Sequence, residues 1–300
     1  MFQKNMLCLL LLLSPAFARA QGMIDGFMRG TGNVVTAVSY STESYKDFYK
    51  NTTQVQEPNL GTISTQSTSI FAAAGITDNI DVMASLPYIS ASADQGYWQT
   101  QSALQDLSIA VKWRPLHVKL PAAGTLSVIA AGGLTMPVTN YVANAPVAVG
   151  HHSTAADARL LVNFMSAFGF FAAIQTGYIR RGDVELDRLT LDGGDAMKTN
   201  VPDALDFSAK VGYGNSDFYL DAWLQSQSAR GGTNIGDTDA SFPSNGISFT
   251  RIGVTGYYPL KFIAEKLGIS IAGATTLSGR NIGRSNRISI GAVYEFSLWK

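Results

Sequence analysis

The sequence predicts an all-β protein, an antiparallel transmembrane β-barrel of about twelve strands with both termini at the periplasmic end. Three observations favour this fold class. The chain begins with an export leader, its strand-like segments alternate apolar with polar residues, and short connections alternate with long ones between those segments. Together they describe a chain that leaves the cytoplasm and then spans a membrane with strands.

Residues 1–20 have the features of a secretory signal peptide. Lys4 precedes an apolar stretch over 6–13, and the segment ends in small residues of the kind found at cleavage sites. This apolar stretch is too short to span a bilayer, which takes about 20 residues. We therefore expect cleavage after residue 20 and a barrel over 21–300. The single cysteine, Cys8, lies in the leader, which leaves the mature chain without disulfides or cysteine metal ligands.

The chain is apolar for the small amount of charge that it carries. It is 46% hydrophobic and 15% charged, whereas soluble proteins are roughly 25% charged. After the leader it contains no apolar run near the ~18 residues that mark a membrane helix. Strands with one face in lipid explain how a chain can be so apolar and still contain no membrane helix. Basic and acidic residues balance at 22 each, so no excess of basic charge points to a nucleic-acid partner.

The segment DALDFSAKVGYG shows the strand pattern clearly. Leu205, Phe207 and Val211 fall on one face, and Asp206 and Lys210 fall on the other. A helix would mix these two sets, whereas a strand separates them. Similar patterns predict strands at 28–43, 62–75, 79–92, 103–115, 124–138, 154–166, 169–182, 203–213, 216–227, 246–258, 266–278 and 286–299.

The connections between these predicted strands alternate in length. Those over 44–61 and 183–202 are long, whereas those over 76–78, 167–168 and 214–215 are tight turns. Membrane barrels show this alternation, with tight periplasmic turns and longer external loops, and a soluble sandwich has no need of it. The sequence thus predicts a location in the outer membrane of a Gram-negative bacterium, in contact with outer-membrane lipid and lipopolysaccharide.

The chain closes with SIGAVYEFSLWK, which is predicted to pair with the first strand. Ser289, Gly291, Tyr294 and Phe296 fit the spacing polar, Gly, aromatic, aromatic of closing strands in bacterial outer-membrane barrels. We therefore predict Gly291, Tyr294 and Phe296 as the signal that the barrel-assembly machinery reads. The usual aromatic final residue is absent, because the chain continues to Lys300. An ordinary edge strand is the alternative.

Aromatic residues near strand ends are predicted to form girdles at the membrane interfaces, and stacking on an aromatic solute is the alternative. Examples are Trp113, Trp223 and Tyr258.

The predicted lumen is narrow, because about eight strands leave an interior filled by side chains and about sixteen leave a water-filled channel. Charged residues opposite the apolar face of their strands are the candidates to line it. They form either a salt-bridged network or a constriction whose opposed charges orient a dipolar solute. The pore-lining candidates are Asp106, Lys112, Arg114, Arg159, Asp206, Lys210, Asp221, Arg287 and Glu295.

Two segments, GITDNIDVMASLPYIS and LQDLSIAVKWRP, resemble the paired segments of the family named for the meta-pathway of phenol degradation, a group of outer-membrane transporter-like barrels. Gln105 stands where the family has glycine. The resemblance implies passive passage of small solutes, aromatic or otherwise hydrophobic, without a cofactor, and it identifies no substrate. The matching positions are Thr77, Asp78, Asn79, Leu86, Pro87, Tyr88, Asp106, Leu107, Lys112 and Arg114.

Two other functions stay open: a lipid-modifying enzyme of the outer membrane and a structural barrel whose lumen is plugged. Ser244-Asn245-Gly246 is similar to a signature of outer-membrane phospholipases, but Phe242 stands where the histidine belongs. Without a base, Ser244 is a weak nucleophile, so we expect no enzyme activity. His151 and His152 are expected to face solvent in an external loop. Whether 21–27 folds into the barrel as a plug is left open by the sequence.

The long connection over 183–203 is rich in carboxylates around Gly193-Gly194. Such a cluster could hold calcium or meet the divalent ions that bridge lipopolysaccharide. The spacing matches no EF-hand loop, which favours a solvated acidic loop without a metal. The acidic residues are Asp183, Glu185, Asp187, Asp192 and Asp195.

Overall fold

The computed structural model describes residues 24–186, 198–238, 240–261, 263 and 266–298. Within these ranges the chain forms twelve long strands, and no helix is present that could cross a membrane. The strands are β1 (Asn33–Tyr45), β2 (Ile63–Thr77), β3 (Ile80–Ala93), β4 (Asp106–Leu120), β5 (Gly124–Pro137), β6 (Ala155–Ser166), β7 (Phe170–Arg181), β8 (Asp203–Gly214), β9 (Tyr219–Arg230), β10 (Ser248–Pro259), β11 (Leu267–Arg280) and β12 (Asn286–Ser297).

The strands form one closed antiparallel sheet. Each pairs with its neighbour in sequence, and β12 pairs with β1 from Asn33↔Ser297 to Ser44↔Asn286. Closure gives every strand two hydrogen-bonded neighbours, which is what backbone groups need in a medium without water. The predicted fold class, an antiparallel barrel of twelve strands closed by the last strand, is confirmed.

Short and long connections alternate as predicted over the first nine connections, and the last two, over 260–266 and 281–285, are of similar length. Short turns over 78–79, 121–123, 167–169 and 215–218 lie at one end of the barrel, here called the turn end. β1 begins and β12 ends at this same end. The opposite end, here called the loop end, carries the longer connections. An even strand number places both ends of the barrel sequence on one side, as predicted.

Alternation along the strands separates an apolar outer face from a polar inner one. On β8, Phe207 and Val211 are 41% and 60% exposed, whereas Asp206 is buried. Trp113 and Tyr258 also lie on the outer face and are more than half exposed. An exposed apolar face of this extent suits contact with lipid chains.

Several strand boundaries differ from the predictions, and two of these differences have clear local reasons. β9 begins at Tyr219 rather than 216, because the Asn215 side chain accepts the N–H groups of Asp217 and Phe218 at 2.8 and 2.9 Å and builds a turn. β1 begins at Asn33 rather than 28. Gly30 and Gly32 have φ values of 80° and 78°, a region that favours glycine, and the chain turns there.

The closing strand presents its aromatic residues to the outside at the turn end. Tyr294 is exposed, and its ring centroid lies 5.9 Å from that of Phe296. Gly291 faces inward between β1 and β11, where an added Cβ would come within 2.8 Å of Ser270 Oγ and 3.2 Å of Ser39 Cβ. Recognition of these residues by the assembly machinery stays a prediction.

The loop end carries a cap that the alternation did not predict. A small three-stranded sheet joins Ile282–Gly283, Asp47–Lys50 and Thr53–Gln56. The connection over 138–154, here called the inward loop, buries Tyr141 and Val149 against the barrel. These segments narrow the mouth of the barrel.

Candidate functional site

A cavity of about 520 Å³ occupies the middle of the barrel and is here called the lumen cavity. Four of the predicted pore-lining residues border it: Arg159, Asp206, Lys210 and Arg287. Other inward-facing residues border it as well, including Asp157, Trp223, Gln225 and Arg251.

Most of the charges around the lumen cavity are paired. Arg159 donates to Asp157 at 2.8 Å and to Asp206 at 2.5 Å, which bridges β6 and β8. Lys210 Nζ lies 3.2 Å from Asp221. This arrangement fits the salt-bridged network that was one of the two interpretations of the inward charges.

Arg287 differs from these residues. Its guanidinium contacts Ser41 Oγ at 3.3 Å, and within the described part of the chain no carboxylate comes within salt-bridge distance of it. Arg287 is also exposed. It therefore presents positive charge to the lumen cavity.

Residues 24–29 fold into the barrel, which answers for 24–27 the question that the sequence left open about a plug over 21–27, whereas 21–23 lie outside the described residues. Lys112 is fully buried and binds Asp25 at 2.9 Å and Asp81 at 3.2 Å. It also donates to the carbonyl oxygen of Phe27. Asp25 binds Arg29 at 2.7 Å, and the backbone N–H of Arg29 donates to Asp81 at 3.1 Å. Lys112 thus clamps this segment, here called the N-terminal segment, to the wall.

Aromatic packing also holds the N-terminal segment in place. The ring of Phe27 meets that of Phe171 edge-on at 5.5 Å, and Phe171 stacks on Tyr219 at 5.3 Å. Asn163 Nδ2 donates to the carbonyl of Gly26 at 3.2 Å. Both polar and apolar contacts therefore keep the segment inside the barrel.

Two predicted candidates lie away from the lumen cavity, towards the turn end. Arg114 donates to Asn79 Oδ1 at 3.0 Å and to the carbonyl of Asp78 at 2.9 Å, so it braces the turn between β2 and β3. Glu295 is partly buried on β12, and among the described residues its Oε1 has no hydrogen-bond partner.

The turn between β2 and β3 also ties down the end of the N-terminal segment. Asp78 accepts the backbone N–H and the hydroxyl of Thr31 at 3.0 and 2.7 Å. These hydrogen bonds lower the pKa of Asp78, because they stabilise its charged form. Asp78 belongs to the turn segment that resembles the family, and in this structure its side chain anchors Thr31 to the turn.

Asp106 anchors the inward loop. The Tyr141 hydroxyl donates to Asp106 Oδ1 at 2.5 Å, and Gln105 Nε2 donates to the carbonyl of Val149 at 2.7 Å. Burial, with Asp106 adding to it, raises the pKa of Tyr141, so its hydroxyl stays protonated and donates. Gln105, which stands where the resembled family has glycine, therefore has a structural role of its own in this chain.

A second cavity, of about 570 Å³, lies at the loop end between the inward loop and the cap, and is here called the vestibule. Its lining is largely apolar. The apolar residues include Tyr45, Phe48, Leu60, Ile63, Trp98, Pro146, Val149, Phe242 and Ile282. The charged residues are Glu43, Glu57 and Arg251, with His151 beside them. Apolar walls with few polar groups are typical of small-molecule sites.

The expectation that His151 and His152 face solvent is wrong. Both are partly buried, because the inward loop folds back into the barrel mouth. His151 borders the vestibule, and the ring of His152 meets that of Tyr141 at 4.8 Å. The backbone N–H of His152 donates to the Tyr141 hydroxyl at 3.0 Å.

Acidification is expected to loosen the inward loop. Burial, with the positive charge of Arg181 adding to it, lowers the pKa of His151 from 6.5 to about 4. A released histidine takes up its proton near its ordinary pKa, so the packed neutral form keeps its full stability above about pH 6.5 and loses it as the pH falls towards 4. The protection factors for hydrogen exchange across 138–154, which compare the observed rate with the intrinsic rate at each pH, should therefore fall between about pH 6.5 and 4.5. His151→Gln should show a smaller fall, and an equal response in both proteins would contradict the assignment.

Ser244 is part of a turn. Its hydroxyl donates to the carbonyl of Ser241 at 2.9 Å and accepts the backbone N–H of Ser241 at 3.0 Å, and Thr233 Oγ1 lies 2.9 Å away. These contacts use the hydroxyl to stabilise the turn. None of them supplies a general base of the kind that a serine nucleophile needs.

The acidic connection is described only at its two ends. Glu185 lies 3.5 Å from Lys198, and Asn200 Nδ2 donates to Asp183 at 3.0 Å, where 183–185 pair with 198–200 in antiparallel fashion. Asp187, Asp192 and Asp195 lie outside the described residues. Divalent-ion binding by this connection therefore stays a prediction.

Two features of the site were missed by the sequence analysis. Arg251 lies in SFTRIGVTGYY, where Ile252 and Val254 face outward, so the same alternation points it inward. Trp223 was predicted for an interface girdle, and this is wrong, because it borders the lumen cavity. Gly253 makes room for it, since an added Cβ would lie 2.3 Å from Cζ2 of the indole.

The fold is similar to that of an outer membrane channel from Pseudomonas putida F1, with a TM-score of 0.71 at 16% identity over 92% of this chain and 100% of that one. The KdgM porin gives 0.47 at 8% identity (87% and 99% covered), and the beta domain of the Bordetella autotransporter BrkA gives 0.47 at 11% (88% and 100% covered). No protein-family model matches the chain, and no curated protein matches it by sequence. The first likeness supports an outer-membrane type of barrel but not membership of the meta-pathway of phenol degradation family.

Proposed function

We propose that this protein is a channel of the Gram-negative outer membrane through which small apolar solutes pass without energy coupling. The observation that carries the proposal is the pair of cavities in series inside one closed barrel, with the vestibule at the loop end and the lumen cavity below it. In this orientation the loop end faces the exterior, and the turn end faces the periplasm.

The vestibule supports the class of solute. A cavity of about 570 Å³ with apolar walls suits a molecule the size of one or two aromatic rings. The sequence resemblance to the meta-pathway of phenol degradation family points the same way, towards aromatic or otherwise hydrophobic compounds. We also propose that residues 1–20 are removed as a leader and that the barrel contacts lipopolysaccharide.

Assembly of the barrel is part of the same proposal. Tyr294 and Phe296 lie side by side at the turn end, on the strand that closes the barrel. This position, facing the periplasm, supports a role for Gly291, Tyr294 and Phe296 as the signal read by the barrel-assembly machinery. Phe296→Ala should then lower the amount of folded protein in the membrane relative to Phe168→Ala, a control at an exposed aromatic residue of the turn over 167–169.

The proposed function is tested by uptake of a hydrophobic probe. Expression of the protein in a Gram-negative host should raise the rate at which 2-naphthalenemethanol enters the cells, measured by the naphthalene fluorescence of washed cells. Ala145→Trp, which adds an indole to the vestibule wall, should lower that rate several-fold at equal amounts of folded barrel. A folded wild-type barrel with no uptake would favour the alternative of a plugged structural barrel, for which the N-terminal segment and the inward loop are the candidate plugs.

A further inference from the structure

The vestibule and the lumen cavity meet at one side chain. Among the residues that the structure describes, Arg251 alone borders both cavities. It is paired with Glu43, whose Oε1 lies 2.9 Å from Arg251 Nη2, and both side chains are about a fifth exposed, at 20% and 23%. This ion pair therefore lies where the two cavities approach each other.

The pair crosses the inner face of the barrel. Glu43 lies on β1 and Arg251 on β10, and β11 and β12 stand between these strands in the sheet. Neighbouring strands are about 4.8 Å apart, so the two backbones are roughly 14 Å apart along the wall. The two side chains therefore extend across the inner face of β11 and β12 at the inner end of the vestibule. This ion pair is here called the bar.

Several contacts fix this bar in one position. Arg251 Nε donates to Thr276 Oγ1 at 3.1 Å, and the guanidinium carbon lies 4.8 Å from the centroid of the Phe249 ring. The Ser285 hydroxyl donates to Glu43 Oε1, the oxygen that Arg251 also binds. A side chain held in this way acts as a fixed barrier rather than as a mobile surface charge.

The cap is joined to the wall at the same level. The pairing of Thr250 with Ser278 and of Arg251 with Thr276 leaves Leu277 unpaired in a β-bulge. The carbonyl oxygen of Leu277 accepts the Tyr49 hydroxyl at 3.1 Å, and Tyr49 lies in the small sheet of the cap. β-Bulges redirect side chains beside functional sites, and this one lies where Arg251 turns inward.

We propose that the Glu43–Arg251 pair is the selectivity barrier of the channel and that it admits small apolar molecules carrying one uncharged hydroxyl group. This inference rests on the proposed function. A hydroxyl both donates and accepts, so it can satisfy Glu43 and Arg251 together when it parts them. A carboxylate satisfies Arg251 but leaves Glu43 without a cation, an ammonium group satisfies Glu43 but leaves Arg251 without an anion, and a hydrocarbon satisfies neither.

The barrier is tested by single-channel conductance of the refolded mature protein. Arg251→Met keeps an unbranched side chain but removes the guanidinium and with it the ion pair, and it should raise the conductance at least about twofold because the constriction between the two cavities then widens. Arg284→Met is the matched control. Arg284 is an exposed arginine of the connection before β12 that borders neither cavity. Equal conductance of wild type and Arg251→Met would overturn the barrier.

The selectivity is tested with naphthalenes that share one ring system and differ in the head group. Block of the ion current by 2-naphthalenemethanol, 2-methylnaphthalene and 2-naphthoate is measured for wild type and for Arg251→Met. Wild type should bind the alcohol about tenfold more tightly than the other two, which corresponds to about 1.4 kcal/mol, and Arg251→Met should lose the preference. Similar block by all three compounds in wild type would overturn the assignment while leaving the channel function in place. A wild-type barrel without conductance would count against the channel itself.

Discussion

Lys112→Met is expected to destabilise the folded barrel by about 3–5 kcal/mol, because it leaves the buried carboxylate of Asp81 without its cation. Lys112 and Asp81 are both fully buried, and Asp25 is nearly so. Methionine fills a similar volume but leaves Asp81 with only the backbone N–H of Arg29 among the polar contacts described above. The N-terminal segment also loses the hydrogen bond from Lys112 to the carbonyl of Phe27. We therefore expect this segment to leave the lumen.

Unfolding in denaturant, followed by tryptophan fluorescence of the refolded protein, measures this loss. Arg114→Met is the control, since Arg114 belongs to the same strand but contacts an exposed turn, where loss of a contact costs about 1 kcal/mol or less. A double variant, Lys112→Met with Asp81→Asn, should recover part of the stability because one unpaired charge is removed. If Lys112→Met and Arg114→Met unfold at the same denaturant concentration, Lys112 is not the clamp.

The barrel was predictable from the sequence because one physical requirement acts on every strand. Each strand places one face in lipid and the other in the lumen, so alternation with a period of two appears along the chain. The exceptions have local causes. Asn215 builds a turn with its side chain and shortens β9, and glycines at 30 and 32 let the chain turn into the barrel before β1.

The contacts of the site were much less predictable than the strands. Alternation showed that Lys112 and Asp206 face inward, but it carries no information on which inward residues meet. Asp25 lies in a segment without periodicity, and yet it is the ion-pair partner of Lys112. Glu43 and Arg251 meet across two intervening strands. Such pairings depend on how the N-terminal segment and the loops fill the barrel.

The inward loop illustrates the same difficulty. Its sequence, YVANAPVAVGHH, contains neither a strand period nor a helix period. Its position follows from a few anchors: Tyr141 to Asp106, and Gln105 to the carbonyl of Val149. Gly150 lets these anchors approach closely, since an added Cβ would lie 2.6 Å from Gln105 Nε2 and 2.7 Å from the Tyr141 hydroxyl. The alternation of apolar and polar residues does not predict where this external loop lies. In the structure the loop forms one wall of the vestibule.

Tyr141→Ala is expected to release the inward loop and open the mouth of the barrel. The substitution removes a buried ring that packs with Ala91 and Val149, a loss of about 3–5 kcal/mol for an aromatic side chain. It also removes the hydrogen bond to Asp106 and the acceptor for the backbone N–H of His152. These losses fall on the loop and not on the strand pairing, so the barrel should stay folded.

Two measurements separate release of the loop from unfolding of the barrel. Hydrogen exchange in Tyr141→Ala should accelerate across 138–154 and stay unchanged across β6 to β9, and single-channel conductance should rise. Tyr141→Phe keeps the ring and loses only the hydroxyl, so it should give a smaller effect of about 1–3 kcal/mol. Because the vestibule has the inward loop as one wall, Tyr141→Ala should also weaken block by 2-naphthalenemethanol while the Glu43–Arg251 pair stays in place. If the conductance rises and block by 2-naphthalenemethanol is unaffected, the solute binds in the lumen cavity rather than in the vestibule.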